Sequence, residues 1–406
     1  MLLNNKIDKI KIIPFVLFIM VVLMSTSSFF QLGGIPIFML FWFILICYIL
    51  LREKPQDKTT LDIIKENTRT RIITILVIWL LYAMFQFLLF AYNWAGARYF
   101  TLILINITTF IIIIDIAKSI NVIRLLNKAI LCGLFINLVV AFWEISTDSH
   151  IKILSSDYER RFKSIPVTFF SNANDFATFL FCSVVILMFE KVMSKSKKYH
   201  LLIYTLLGAT IYILIQTDSR GGLNGTLLFL AIYILLRTIG KVSKGKKSIM
   251  GIFSILMFTS SIMLLLLLII ENYTSSIVDM FFEYTDGRLD LWEQAFDLFI
   301  NSFLLGIGPG QSLVKMNGNV HFLLLEIVTE YGVFVVVGLL VIIYKLIKLI
   351  FPFLNSKINT LITSFLITFI PVSVSSSSMT KIYPVWIIIG IVFAIKVNHC
   401  DKNLDS

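Results

Sequence analysis

Twelve separate apolar stretches of about 20 residues each divide this 406-residue chain, and no other feature restricts its fold as strongly. An α-helix rises about 1.5 Å per residue, so such a run spans the roughly 30 Å hydrocarbon core of a bilayer. Lipid offers backbone groups no hydrogen-bonding partner, and these runs are continuous rather than alternating, which selects helices over the strands of a barrel. Composition agrees: 58% of residues are hydrophobic, 15% are charged and the mean hydropathy is +0.90. Soluble domains carry about 25% charged residues. The expected fold is therefore all-α, a polytopic membrane helical bundle of about 12 transmembrane helices forming a single integral membrane domain over 1–406.

Apolar runs and their charged flanks place the helices near 12–30, 34–51, 72–92, 99–117, 127–145, 170–190, 201–216, 222–239, 249–270, 322–344, 359–375 and 383–396. If these alternate across a bilayer, 26 of the 35 Lys and Arg residues fall on the side that holds the N-terminus. That is the positive-inside pattern, and with an even number of spans it predicts that both termini are cytoplasmic. The net charge of +11 follows from this sorting, so a nucleic-acid partner is not needed to explain it. Lys6, Lys9 and Lys11 precede the first apolar run as in a signal peptide, but no small-residue cleavage site follows, which predicts a retained first helix. The four cysteines show neither pairing nor ligand spacing, so no disulfide framework, metal site or cofactor is expected.

Nine basic residues are left to face outward, and Arg160, Arg161, Arg220 and Arg288 among them lie beside glycines, acids or aromatics rather than in solvated runs. Three outer regions hold them. The first, 146–169, contains Asp157-Tyr-Glu-Arg-Arg161-Phe-Lys163 and leads into Ser171-Asn-Ala-Asn-Asp175, where Asn and Asp suit a helix cap. The second, Thr217-Asp-Ser-Arg-Gly-Gly222, reads as a tight turn between helices whose glycines permit the turn. The third, 271–321, is expected to be a large extracytoplasmic loop containing an interfacial amphipathic helix over 286–305. Leu289, Trp292, Phe296, Phe299 and Phe303 recur at helical spacing there, with Asp290, Glu293, Gln294, Asp297 and Asn301 filling much of the rest. Gly306-Ile-Gly-Pro-Gly310 is expected to stop that helix before the chain returns to the membrane at His321.

Ionisable residues avoid the middle of the apolar segments, which argues against a proton relay at the midplane. No soluble catalytic domain is present in the pattern, so chemistry falls to helix ends and outer loops. Arginine at an outer helix end serves to bind lipid phosphate or to hold an acidic loop. Two of them beside one another also suit a diphosphate, since a guanidinium presents forked donors to phosphate oxygens and stabilises the group as it leaves. His321 is either a cap or a proton-transfer residue, its ordinary pKa near 6.5 suiting the latter. Glu326 and Glu330, one and two turns further along the same helix, orient it or act in its place.

At these places the chain resembles the O-antigen ligase and Wzy-type polysaccharide polymerase superfamily, the Wzy_C-like polytopic membrane glycosyltransferases. The resemblance rests on Asp218-Ser-Arg-Gly-Gly222, on Gly287-Arg-Leu-Asp-Leu-Trp292 with Leu305-Gly-Ile-Gly-Pro-Gly310, and on His321-Phe-Leu-Leu-Leu-Glu326 through Glu330-Tyr-Gly332. Ser171-Asn-Ala-Asn-Asp175 adds a weaker likeness to an Asn-Pro-Asn-like helix start. What the resemblance implies is inverting glycosyl transfer without a metal, from an undecaprenyl diphosphate-linked glycan, at the outer face of the bacterial cytoplasmic membrane. Carried over, Arg220 and Arg288 bind the donor diphosphate and His321 sits near the acceptor as the catalytic group. Arg160, Arg161, Glu326 and Glu330 are further candidates for substrate binding. Phe322 stands where many ligases have Asn or a similar polar residue, which turns the reading towards a polymerase joining repeat units of O-antigen or capsule. A ligase acting on lipid A-core or another acceptor is the alternative, and a twelve-helix transporter or flippase the third. Membrane lipid and a chain-length regulator are the other partners such a role implies.

Overall fold

The computed structural model of the protein describes residues 2–26, 30–32, 35–51, 60–151, 164–170, 172–243, 288–316, 320–350, 356–373, 378, 380 and 382–398. Its helices are α1 (Leu2–Ser25), α2 (Phe38–Leu51), α3 (Thr60–Phe90), α4 (Trp94–Ile116), α5 (Ile120–Thr147), α6 (Ala173–Met193), α7 (Lys197–Gln216), α8 (Arg220–Ser243), α9 (Arg288–Asn301), α10 (Gln311–Lys315), α11 (Leu323–Ile350), α12 (Lys357–Ser373) and α13 (Tyr383–Asn398). Between α1 and α2 the strands β1 (Gln31–Leu32) and β2 (Ile35–Pro36) pair antiparallel, with Gln31 opposite Pro36.

Polar side chains at the ends of the apolar runs start several of these helices. Asn93 accepts the Gly96 N–H at 2.8 Å, and Asn172 accepts that of Asp175 at 2.8 Å. Ser119 and Ser196 do the same for Val122 and Tyr199 at 3.4 Å. Each satisfies one of the N–H groups that a helix start leaves unpaired. The caps also shift the expected boundaries, so that α6 begins at Ala173 and α4 at Trp94 rather than near 170 and 99.

Seven helices among the described residues are long and apolar enough to cross a membrane: Thr68–Phe90, Trp94–Ile116, Ile120–Thr147, Ala173–Met193, Lys197–Gln216, Arg220–Ile239 and Leu323–Lys348. Four more, Ile12–Ser25, Phe38–Leu51, Lys357–Ser373 and Tyr383–Lys396, are apolar but shorter. The remaining expected stretch, 249–270, lies outside the described residues, as do Arg160 and Arg161. The protein is thus a helical polytopic membrane protein, while the number twelve remains an expectation from the sequence.

Burial separates centre from periphery. The span in α6 is 83% buried, whereas those in α7 and α8 are each 22% buried. An all-round apolar helix belongs in the middle of a bundle, and α6 accordingly touches α5, α7, α8, α12 and α13. On α7 the outward Leu201, Leu202 and Tyr204 are exposed apolar side chains of the kind that face lipid.

The glycines of the 217–222 motif act differently from expectation. The turn is Thr217–Ser219, its positive φ falls on Asp218 (51°), and Arg220, Gly221 and Gly222 are already helical. Gly222 is needed for contact, since a Cβ there would stand 2.6 Å from the Cβ of Ala177 on α6. The absence of a side chain lets α8 lie directly on the central helix.

The chain beyond α5 is tied back by one buried carboxyl. Glu144 accepts the N–H groups of Ile151 (3.2 Å), Val167 (2.9 Å) and Thr168 (2.9 Å), with His150 Nδ1 3.7 Å away. Thr168 in turn donates its hydroxyl to Asn137 Oδ1 at 2.8 Å, fixing the approach to α6. Gly222→Leu is expected to force α8 off α6, at a cost of about 1–3 kcal/mol or more. A lowered melting temperature in detergent would register it, while Gly208→Ala, inside α7 with nothing within 4 Å, does not lower it.

Candidate active site

The site is organised by a break in α11. At Gly332 the backbone leaves the helical region (φ 74°, ψ −175°), and the i to i−4 ladder fails there. The Val333 N–H, which a continuous helix would direct to Thr329, donates instead to the Leu304 carbonyl at 2.9 Å. The carbonyls so released, of Thr329 and Glu330, accept the N–H groups of Ile307 and Gly308, each at 2.9 Å. A glycine-rich loop over 304–310 thus replaces the missing helical hydrogen bonds, which is the condition for irregular backbone at membrane depth.

That fit needs glycine on both sides. A Cβ on Gly332 would lie 2.3 Å from the Leu305 carbonyl oxygen, and one on Gly306 2.6 Å from that of Glu330. The Leu305 carbonyl is also capped from α3, by the Tyr82 hydroxyl at 2.7 Å and Gln86 Nε2 at 2.8 Å. At the far end of the loop, Gln311 and Asn93 exchange amide hydrogen bonds of 3.1 and 3.3 Å, joining it to the start of α4.

Two buried carboxyls hang from the first half of α11. Glu330 accepts the Ser312 hydroxyl at 2.5 Å, and the N–H groups of Gly310 and Ser312 face the same carboxyl. Glu326, one turn closer to the start of the helix, accepts the Ser378 hydroxyl at 2.5 Å. Ser378 lies 2.8 Å from the Thr380 hydroxyl, and Asn106 of α4 donates to the Thr380 carbonyl at 2.8 Å. The Tyr99 hydroxyl on α4 faces Glu326, Glu330 and Asp175 together, and the Arg98 charge acts on both Tyr99 and Tyr383.

His321 stands at the mouth, two residues before α11, half-exposed and with a φ of 51°. It is flanked by contacts from α9: Trp292 donates its indole N–H to the Val320 carbonyl at 3.0 Å and packs its ring 5.6 Å from that of Phe322. Thr329 donates to the Ala295 carbonyl at 3.1 Å, so α9 lies along α11. Arg288 opens α9 one turn before Trp292, the residue bonded to the Val320 carbonyl.

The expected helix over 286–305 is correspondingly shorter, and it ends at Asn301 before the glycines. Ser302, Phe303 and Leu304 form the turn, the last two with φ of 54° and 64°. Its apolar stripe is also divided. Leu291, Trp292, Ala295 and Leu298 pack inward, whereas Phe296 (54% exposed) and Phe303 (86%) stay open.

Arg220 opens α8 and is exposed, one residue after Ser219 donates its hydroxyl to Asn174 Oδ1 at 2.8 Å. The 171–175 and 217–222 motifs are therefore one physical unit. Asp175 is buried beside its cap, with Asn172 Nδ2 2.9 Å from its carboxyl. Both Arg220 and Arg288 occupy the first residue of a helix, although α9 also holds Asp290 in that turn. A cation there opposes the positive end of the helix dipole by about 0.3–1 kcal/mol, and an anion bound at the same place reverses the balance.

Of the residues singled out in the sequence, His321, Glu326 and Glu330 share one helix start, Arg288 begins the helix packed against it, and Arg220 follows Ser219, which binds Asn174. Sequence reasoning missed Arg98, Tyr99, Ser312 and Ser378. Arg98 had a signal, as an outward basic residue beside a tyrosine at a helix mouth. Ser378 had none, standing in a run of four serines. Among the described residues, no three of His, Cys, Asp and Glu are grouped as metal ligands.

Residues 205–343 match the O-antigen ligase family, Wzy_C. That stretch runs from before Arg220 to beyond Gly332 and so contains the broken helix, its loop and the histidine. The protein is thus a helical polytopic membrane protein that carries, in its second half, a stretch similar to the O-antigen ligase family. Outside that stretch as well as within it, the chain is similar to the teichuronic acid biosynthesis protein TuaE of Bacillus subtilis (strain 168), with 24% identity over 351 residues, 78% of this chain and 69% of the relative.

Replacing Gly332 by Ala is expected to unseat the 304–310 loop, because the new methyl would meet the Leu305 carbonyl and adopt a positive φ. Faster protease cleavage within that loop, with the rest of the bundle intact, is the expected readout.

Proposed function

We propose that the protein is a membrane glycosyltransferase that joins undecaprenyl diphosphate-linked repeat units into a surface polysaccharide at the outer face of the bacterial cytoplasmic membrane. The observation that carries this reading is the pair of arginines, each on the first residue of a helix, within the same family-matching stretch that holds His321. A diphosphate suits both the guanidinium forks and the positive end of a helix, and stabilising it as it leaves lowers the barrier to transfer. His321 is at the acceptor, where it positions or deprotonates the attacking hydroxyl. Arg160 and Arg161 add contacts to phosphate or sugar. The outward side is supported by the charge sorting, which sets His321, Arg220 and Arg288 opposite 26 of the 35 basic residues.

Polymer formation is supported by the relative in teichuronic acid biosynthesis, a cell-wall polysaccharide route, and by Phe322 after the histidine. The family description favours a second reading, a ligase that moves finished glycan to another acceptor. A deletion strain separates the two. Single repeat units on the acceptor indicate a polymerase, whereas full polymer retained on the carrier lipid indicates a ligase.

Arg220→Ala, Arg288→Ala and His321→Ala are each expected to lower polymer formation by about 100-fold or more, the scale of losing one transition-state contact. Polysaccharide chain length on gels, at matched protein expression, measures this. Full-length polymer from all three variants would end the assignment.

A further inference from the structure

Glu326 and Glu330 stand one turn apart on α11, yet the groups that hold them differ in kind. Glu330 is held by the Ser312 hydroxyl at 2.5 Å and faced by the backbone N–H groups of Gly310 and Ser312. A backbone N–H can only donate. Glu330 thereby fastens the glycine-rich loop to the first half of α11.

Glu326 meets two hydroxyls in series, Ser378 at 2.5 Å and beyond it Thr380, 2.8 Å further on. A hydroxyl both donates and accepts. While Glu326 is charged, the single Ser378 proton points at the carboxylate and Thr380 donates to Ser378. Once Glu326 is protonated, both hydrogen bonds reverse direction with no heavy atom moving. The pair is held still from outside, because Asn106, wholly buried on α4, donates to the Thr380 carbonyl.

We propose that Glu326 takes up the acceptor proton during glycosyl transfer, and that Ser378 is the positioning residue that holds its carboxyl in either protonation state. This rests on the glycosyl-transfer reading above. In the step, the acceptor oxygen bonds to the anomeric carbon while the bond from that carbon to the diphosphate oxygen breaks, its electron pair leaving on the diphosphate. The acceptor O–H bond also breaks, and its proton ends on Glu326. His321, at the mouth, then has the orienting half of the role that the sequence left undivided. Among the described residues, the titratable groups on which the Glu326 charge acts include Glu330 and Tyr331 on its own helix and Tyr99 from α4.

The test uses the full-length protein reconstituted in lipid nanodiscs with a synthetic polyprenyl diphosphate-linked oligosaccharide, following chain extension. Glu326→Gln is expected to lower kcat by about 100-fold or more, the lower scale for losing a general base, with the donor KM within about twofold of wild type. Ser378→Ala is expected to lower kcat by about tenfold at unchanged KM, and Ser378→Thr, which restores the hydroxyl, to recover most of it. Combining Ser378→Ala with Glu326→Gln is expected to add nothing to the loss from Glu326→Gln alone, as for residues acting through one group. Detergent melting curves identify any variant that has not folded, and Glu326→Gln keeps the side-chain shape. Wild-type kcat in a folded Glu326→Gln protein would overturn the proposal, as would losses that multiply in the double variant. If the wild-type protein does not extend the substrate at all, the glycosyl-transfer reading fails and takes this one with it. Extension by wild type and by Glu326→Gln alike removes only the role of Glu326.

Discussion

Everything at the candidate site depends on backbone hydrogen bonds that α11 does not make with itself. A helix crossing lipid has no water to satisfy a broken ladder, and each orphaned carbonyl costs several kcal/mol. The break at Gly332 persists because Leu304, Ile307 and Gly308 supply the partners, with Tyr82 and Gln86 satisfying the carbonyl at the centre of the loop. The loop and the kink therefore require each other. Gly306 and Gly332 each lack the side chain that would meet the other's segment, and together they hold the loop against the break in α11.

From that junction the other parts take their positions. Glu330 is fastened beneath the loop by Ser312, and α9 lies along α11 through Thr329 and Trp292, the latter bonded to the residue before His321. On the other flank, Ser219 and Asn174 join the starts of α8 and α6. Tyr99 stands between the flanks, facing carboxyls from both α11 and α6. Groups as far apart in the chain as Tyr82 and Leu305, 223 residues, become neighbours in this way.

Much of this could be read from the order of residues. The apolar runs locate the helices to within a few positions, since lipid tolerates few other arrangements, and glycines, arginines and a histidine at helix ends mark where chemistry is concentrated. What could not be read is which of these marks touch. Gly222 looked like a turn residue and is a packing residue, because only the structure brings Ala177 within reach of it. The stripe on α9 looked like one face, but Trp292 turns inward while Phe296 and Phe303 do not. The link from Ser378 to Glu326 left no trace, because a hydrogen bond between residues 52 apart has no periodicity to reveal it.

One arrangement outside the site governs how such a protein can change. Glu144 gathers the N–H groups of Ile151, Val167 and Thr168, so the chain leaves α5 and re-enters before α6 at a single carboxylate. Once two ends are pinned together, lengthening the chain between them costs little, about 0.6 kcal/mol for each doubling. Changes in the length of chain between Ile151 and Val167 therefore leave the ends of α5 and α6 where Glu144 holds them. Diversity among related chains is expected to accumulate in that segment, while the broken helix and its loop stay the same.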